Sequence, residues 1–112
     1  MSMRIRLADT EARQQVFHVA DLTLDLGRRE VKGCNGHTKL TPKESELLAL
    51  FMSYPGRVLS RKLLMKEVWD TDFLEDTRTL EVHVCWLRKK IEEDPHNPQR
   101  LRTIRGVGYR FG

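Results

Sequence analysis

The sequence predicts an α+β domain: a small antiparallel sheet, then three helices, then a β-hairpin. Three observations point there. Short alternating or β-branched stretches fill residues 16–40, helix caps stand at Thr41 and Ser60, and two short strands surround Gly106 and Gly108 near the end. At 112 residues the chain can bury one core but not two, so a single domain is expected. No apolar run approaches the roughly 20 residues of a membrane helix. The basic N-terminus is followed by no apolar stretch and does not read as a signal peptide.

Residues 1–15 (MSMRIRLADTEARQQ) carry charge and Gln with little periodicity. They are expected to be a disordered linker or leader, with the folded domain at 16–112. Strands are expected at Val16–Ala20, Leu22–Leu26, Arg29–Lys32 and His37–Leu40, punctuated by Asp21, Gly27-Arg28 and Gly33–Gly36. The second alternates Leu22, Leu24 and Leu26 against Thr23 and Asp25, as a strand with one buried face does. Thr41-Pro42-Lys43-Glu44 opens the first helix: Thr41 as cap, Pro42 in the first turn, Glu44 completing a capping box. Leu47, Leu48, Leu50 and Phe51 form its apolar side, and Pro55-Gly56 stops it. Ser60 caps a second helix to about Trp69, with Leu63, Leu64 and Val68 inward. An acidic loop, 70–76, leads to a third helix from about Thr77 to Glu93, ended by Pro95. Leu101–Phe111 is the hairpin.

The formal charge is +4, a weak pointer by itself. Its placement says more. Residues 1–56 hold 8 Lys/Arg and 7 Asp/Glu, whereas 57–112 hold 12 and 9, so most of the excess is C-terminal. Asp70, Asp72, Glu75 and Asp76 sit together, while Arg100, Arg102, Arg105 and Arg110 cluster without an acid among them. A solvated surface explains most charge runs; segregated runs beside a helix suit a polyanionic partner better.

On a helical wheel Leu80, Val84, Leu87 and Ile91 fall within about 60° of one another, a core stripe. Arg78, Val82, Cys85 and Lys89 lie opposite, with Trp86 and Thr79 on one shoulder. Apolar groups facing away from a core need a reason. A neighbouring loop could cover Val82 and Trp86. A DNA duplex is the other reading: cations meet phosphates, and an apolar side chain packs on a thymine methyl. Arg105, just before Gly106 at the hairpin tip, adds a cationic probe beside this helix, the arrangement that straddles a groove.

The segments TPKESELLALF, GRVLSRKLLMKEVWD, DTRTLEVHVCWLRKKI and TIRGVGYRF closely resemble the DNA-binding effector domain of OmpR/PhoB-type two-component response regulators, in the same order and spacing. The resemblance runs from about Val16 to the last residue. It implies a winged helix-turn-helix: a four-stranded N-terminal sheet, three helices and a hairpin wing. It also implies a transcription factor bound as a tandem dimer to direct-repeat sites in double-stranded DNA, with a receiver domain in the full-length protein. Residues 1–15 then look like an interdomain linker. Carried over by position, Arg78, Thr79, His83 and Arg88 match phosphate contacts near the reading helix, and Trp69 matches a backbone-contacting Trp. Val82, Trp86 and Lys89 match positions facing the major groove. Thr103 and Tyr109 match phosphate contacts on the wing, and Arg105 matches the wing Arg that enters the minor groove. Cys85-Trp86 departs from the pattern, since many members have a basic residue at one or both. The 70–76 loop corresponds to the segment that in some activators touches RNA polymerase.

Other chemistries find little support. His18, His37, His83 and His96 show no metal-ligand spacing, and no cofactor motif is present. No nucleophile–base arrangement sits on a recognisable turn, and Gly106-x-Gly108 is too short for a phosphate loop, so no enzyme is expected. Cys34 and Cys85 fit no redox or metal spacing, which favours a reduced, cytoplasmic setting. Glu92, Glu93 and Asp94 crowd a helix C-terminus, which the helix dipole disfavours, and the sequence offers no role for them. The competing function is a protein-interaction module on the same fold; it would have no need for cations on the outward face of 78–89. An RNA duplex is a poor partner, because its deep, narrow major groove excludes a helix.

Overall fold

The computed structural model describes residues 16–34, 36–70 and 78–112. The expected leader 1–15, Thr77 and all of the acidic loop except Asp70 lie outside them. Four strands, β1 (Val16–Val19), β2 (Leu22–Asp25), β3 (Glu30–Gly33) and β4 (Gly36–Lys39), form an antiparallel meander in sequence order. The expected strands are all present, with shifted ends. Ala20 and Arg29 have left-handed φ of 55° and 54° and belong to turns, so β1 ends at Val19 and β3 begins at Glu30. Leu22 and Leu24 are buried while Thr23 and Asp25 are only half-buried, so β2 keeps the alternation its sequence shows.

Helix α1 (Pro42–Ser53) begins as its sequence dictates. Thr41 is extended, its hydroxyl accepts from the Glu44 amide at 3.2 Å, and the Thr41 amide donates to Glu44 Oε1 at 2.8 Å. Leu47, Leu48, Leu50 and Phe51 are all buried between the meander and the later helices. Helix α2 (Arg61–Trp69) is capped by Ser60, whose hydroxyl accepts from the Leu63 amide, and it ends with Asp70 in the left-handed region. Leu64 and Val68 point inward as expected. Leu63 is only half-buried, and Met65 takes the third core position instead.

Helix α3 (Arg78–Ile91) buries Leu80, Val84, Leu87 and Ile91. It stops two residues before the expected Glu93 because Glu92 leaves the helix to do other work. Glu92 is only 2 % exposed. Its carboxylate accepts from the backbone amides of Gln99, Arg100 and Leu101 at 2.8–3.1 Å, which ties the start of the hairpin to the end of α3. That bond set is the role the sequence left unassigned.

The hairpin pairs β6 (Leu101–Ile104) with β7 (Gly108–Phe111). A strand that sequence reasoning missed, β5 (Val58–Ser60), adds to β7, giving a three-stranded sheet of order β5-β7-β6. Gly108 makes this possible: a Cβ there would lie 2.0 Å from the Leu59 carbonyl oxygen. The expected arginine cluster is not one surface. Arg100 leaves it to bind Asp21, in the β1–β2 turn, with Nη2 2.6 Å from both carboxylate oxygens. This pair lowers the Asp21 pKa, the hydrogen bond from Arg100 being the main cause.

Candidate nucleic-acid interface

The core stripe fixes the rotation of α3, and everything opposite it is turned outward. Arg78, Thr79, Val82, Cys85, Trp86 and Lys89 are all exposed. Val82 and Trp86 keep 41 % and 42 % of their surface open, so no neighbouring described segment covers them. Two cations, a hydroxyl, a thiol, an aliphatic and an indole therefore make up the outward surface of this helix.

One end of that face is built from a cluster of rings in edge-on and tilted contact. Trp69, at the end of α2, meets His83 edge-on with ring centroids 5.0 Å apart, and His83 meets Trp86 at 4.9 Å. His83 is held from below as well: its Nδ1 lies 2.7 Å from the Thr79 carbonyl oxygen one turn earlier. The structure thus brings Trp69, Thr79, His83 and Trp86 together.

The other end joins the helix to the wing. Arg88 Nε donates to the Leu101 carbonyl at 2.9 Å, and its Nη2 donates to Thr103 Oγ1 at 2.9 Å. Thr103 is exposed, and Arg88 is half-buried. Tyr109 is only 4 % exposed; its ring packs edge-on against Phe51 in the core. The guanidinium groups of Arg61 and Arg88 lie 5.6 and 5.9 Å from its ring centroid. Burial raises the Tyr109 pKa, against the opposing pull of Arg61 and Arg88, so the phenol is held neutral beside two cations.

Arg61 was missed by sequence reasoning. It stands in the first turn of α2, where its backbone amide reaches the Val107 carbonyl of the wing at 3.4 Å. A basic residue directly after a cap was the available signal. At the wing tip Arg105 is exposed in the turn, and Gly106 supplies the left-handed φ of 75° that the turn requires. Lys90, on the flank of α3, reaches back to Glu44 Oε1 at 2.6 Å, so the capping box of α1 also anchors α3.

Two helices that set a third across them, with a hairpin fastened to that third helix, define a winged helix-turn-helix domain. Residues 35–111 match the family described as transcriptional regulatory protein, C terminal, and the chain belongs to that family. It is 45 % identical over 104 residues to the sensory transduction protein RegX3 of Mycobacterium leprae, covering 92 % of this chain and 52 % of that one. Among solved structures it is similar to the response regulator DrrB of Thermotoga maritima, an OmpR/PhoB homologue, with a TM-score of 0.74 and 30 % identity over 86 % of this chain and 43 % of that one. It is also similar to the DNA-binding domain of the response regulator AdeR in complex with an intercistronic region, with a TM-score of 0.68 and 32 % identity over 84 % of this chain and 96 % of that one. The OmpR/PhoB-type resemblance read from the motifs is borne out. The chain spans about half the length, or less, of the curated relatives it matches.

Proposed function

We propose that this chain is the sequence-specific, double-stranded DNA-binding effector domain of a two-component response regulator that controls transcription. The observation that carries this reading is the outward face of α3, where exposed Val82 and Trp86 stand among Arg78 and Lys89. Solvent gives no reason for that mixture, whereas a major groove uses each part of it. Val82, Trp86 and Lys89 face base edges. Arg78, Thr79, His83 and Trp69 meet the phosphates along one strand, and Thr103, with Arg88 and Tyr109 behind it, meets them at the wing. Arg105 enters the adjacent minor groove. These roles are carried over from the family resemblance position by position, and the exposure of Arg78, Thr79, Val82, Trp86, Lys89, Thr103 and Arg105 supports them.

The rest of the regulator follows the same reading. The missing length relative to the curated relatives is assigned to a receiver domain, and the domain pairs in tandem on direct-repeat sites. The 70–76 loop contacts RNA polymerase. No helix among the described residues is long and apolar enough to cross a membrane, and a DNA target places the protein in the cytoplasm.

Selection of bound duplexes from random sequence tests the central claim. A recurrent motif is expected, with affinity falling about a thousand-fold between 50 and 200 mM salt, as several phosphate contacts at a slope near −0.9 each require. Recovery of no motif together with a flat salt titration would refute it.

A further inference from the structure

The hydrogen bond beneath His83 decides which face its imidazole offers. A carbonyl oxygen can only accept, so the 2.7 Å contact between Nδ1 and the Thr79 carbonyl places a proton on Nδ1. In the neutral ring Nε2 is then a bare lone pair. An edge-on contact with Trp69 and a tilted one with Trp86 flank the ring. A lone pair cannot donate to a phosphate oxygen; it would face that anion unfavourably. Donation from Nε2 requires the second proton, which makes the ring an imidazolium.

We infer that His83 engages DNA as an imidazolium, so that binding of duplex takes up one proton at this residue. This rests on the reading of α3 as the DNA-binding helix. Among the described residues, the elements packed on His83 are its own helix and α2. Along α2 the charged groups nearest Trp69 are Lys66, Glu67 and Asp70, and along α3 they are Arg78, Glu81 and Arg88, with the thiol of Cys85 on the same outward face. Histidine is the side chain whose ordinary range lies between pH 5 and 8, and the His83→Gln variant separates its proton uptake from that of any other group. His18 and His37 lie on β1 and β4 of the N-terminal meander, and His96 lies in the α3–β6 connection, none of them on the proposed interface.

The experiment measures affinity for the selected duplex between pH 6 and 8.5 for the wild type and for His83→Gln, whose amide can donate at any pH. Across this range wild-type affinity is expected to rise as pH falls, by at most about ten-fold per unit, the limit for uptake of one proton, while His83→Gln stays flat. The His83 Cε1–H resonance, followed by NMR with and without duplex, should titrate at higher pH in the complex. A wild-type profile that is flat, or one whose slope persists in His83→Gln, overturns the proposal. A resonance shifted by duplex that titrates at the same or lower pH also overturns it, and shows a neutral ring accepting from a base. If duplex leaves the His83 resonance unmoved and both proteins bind equally at every pH, the phosphate contact itself is wrong. Loss of all duplex binding by the wild type would instead sink the reading of α3.

Discussion

Replacing Glu92 by Gln removes a single charge and changes almost no volume, so its effect isolates the bond set that fastens the wing. Glu92 Oε1 accepts from the Gln99 and Arg100 amides, and Oε2 accepts from the Arg100 and Leu101 amides. A glutamine keeps one oxygen. Its amide nitrogen, in place of the other, points donors at donors. If the retained oxygen faces Gln99, the buried Leu101 amide loses its acceptor, which costs ~1–3 kcal/mol, and the surviving bonds lose their charge-assisted strength, ~1 kcal/mol more. A total near 3 kcal/mol is a large part of the 5–15 kcal/mol typical of a domain. Urea denaturation should show a lower midpoint at unchanged slope, and melting should fall by roughly 10–20 °C. Amide exchange at Leu101 should rise from the protected to the unprotected range. A variant that melts within about 2 °C of the wild type would show that this cluster does not hold the wing, and the account of why α3 ends at Ile91 would fall with it.

Leu87→Ala should cost ~2–5 kcal/mol through the cavity left in a fully buried position; an unchanged melting temperature would mean that α3 is rotated. Replacing Val82 or Trp86 should change preference at particular base pairs by roughly 1–3 kcal/mol each, read by repeating the duplex selection. Arg88→Ala should weaken all duplexes about equally, and uniform loss in both sets of variants would refute the division between reading and positioning. Asp21 has a lowered pKa because of Arg100, so its stabilising contribution is present above the ordinary carboxylate range and is lost as pH falls through and below it. Asp21→Asn should therefore flatten part of the acid limb of a stability–pH curve; parallel curves for the two proteins would show that the pair contributes nothing.

What could be read in advance was what the chain writes locally. The capping box at Thr41–Glu44, the serine cap of α2 and the four-residue stripe of α3 depend on neighbours within one or two turns, and the structure contains each of them. The misses are non-local. Strand β5 is three residues long and exists because β7 lies beside it with a glycine at the closest approach. Arg100 finds Asp21 across 79 positions of sequence, so counting nearby acids could not have shown that this arginine is already engaged. Glu92 looked like an unfavourable charge on a helix end; its partners are amides of a segment that folds back later. The candidate site was legible on α3, where one helix carries most of it. Its link to the wing through Arg88 and Thr103, and the contribution of Arg61, needed the tertiary arrangement.

The stapling of α3 to β6, by Arg88 on one side and Glu92 on the other, holds the base of the wing at a set place beside the proposed reading helix. Such a molecule behaves as a caliper with its jaws locked. On the proposed DNA-binding reading, an operator whose groove width or twist differs from that opening would have to be bent or rewound to fit, so stiffness of base-pair steps that no side chain touches would become part of what is recognised.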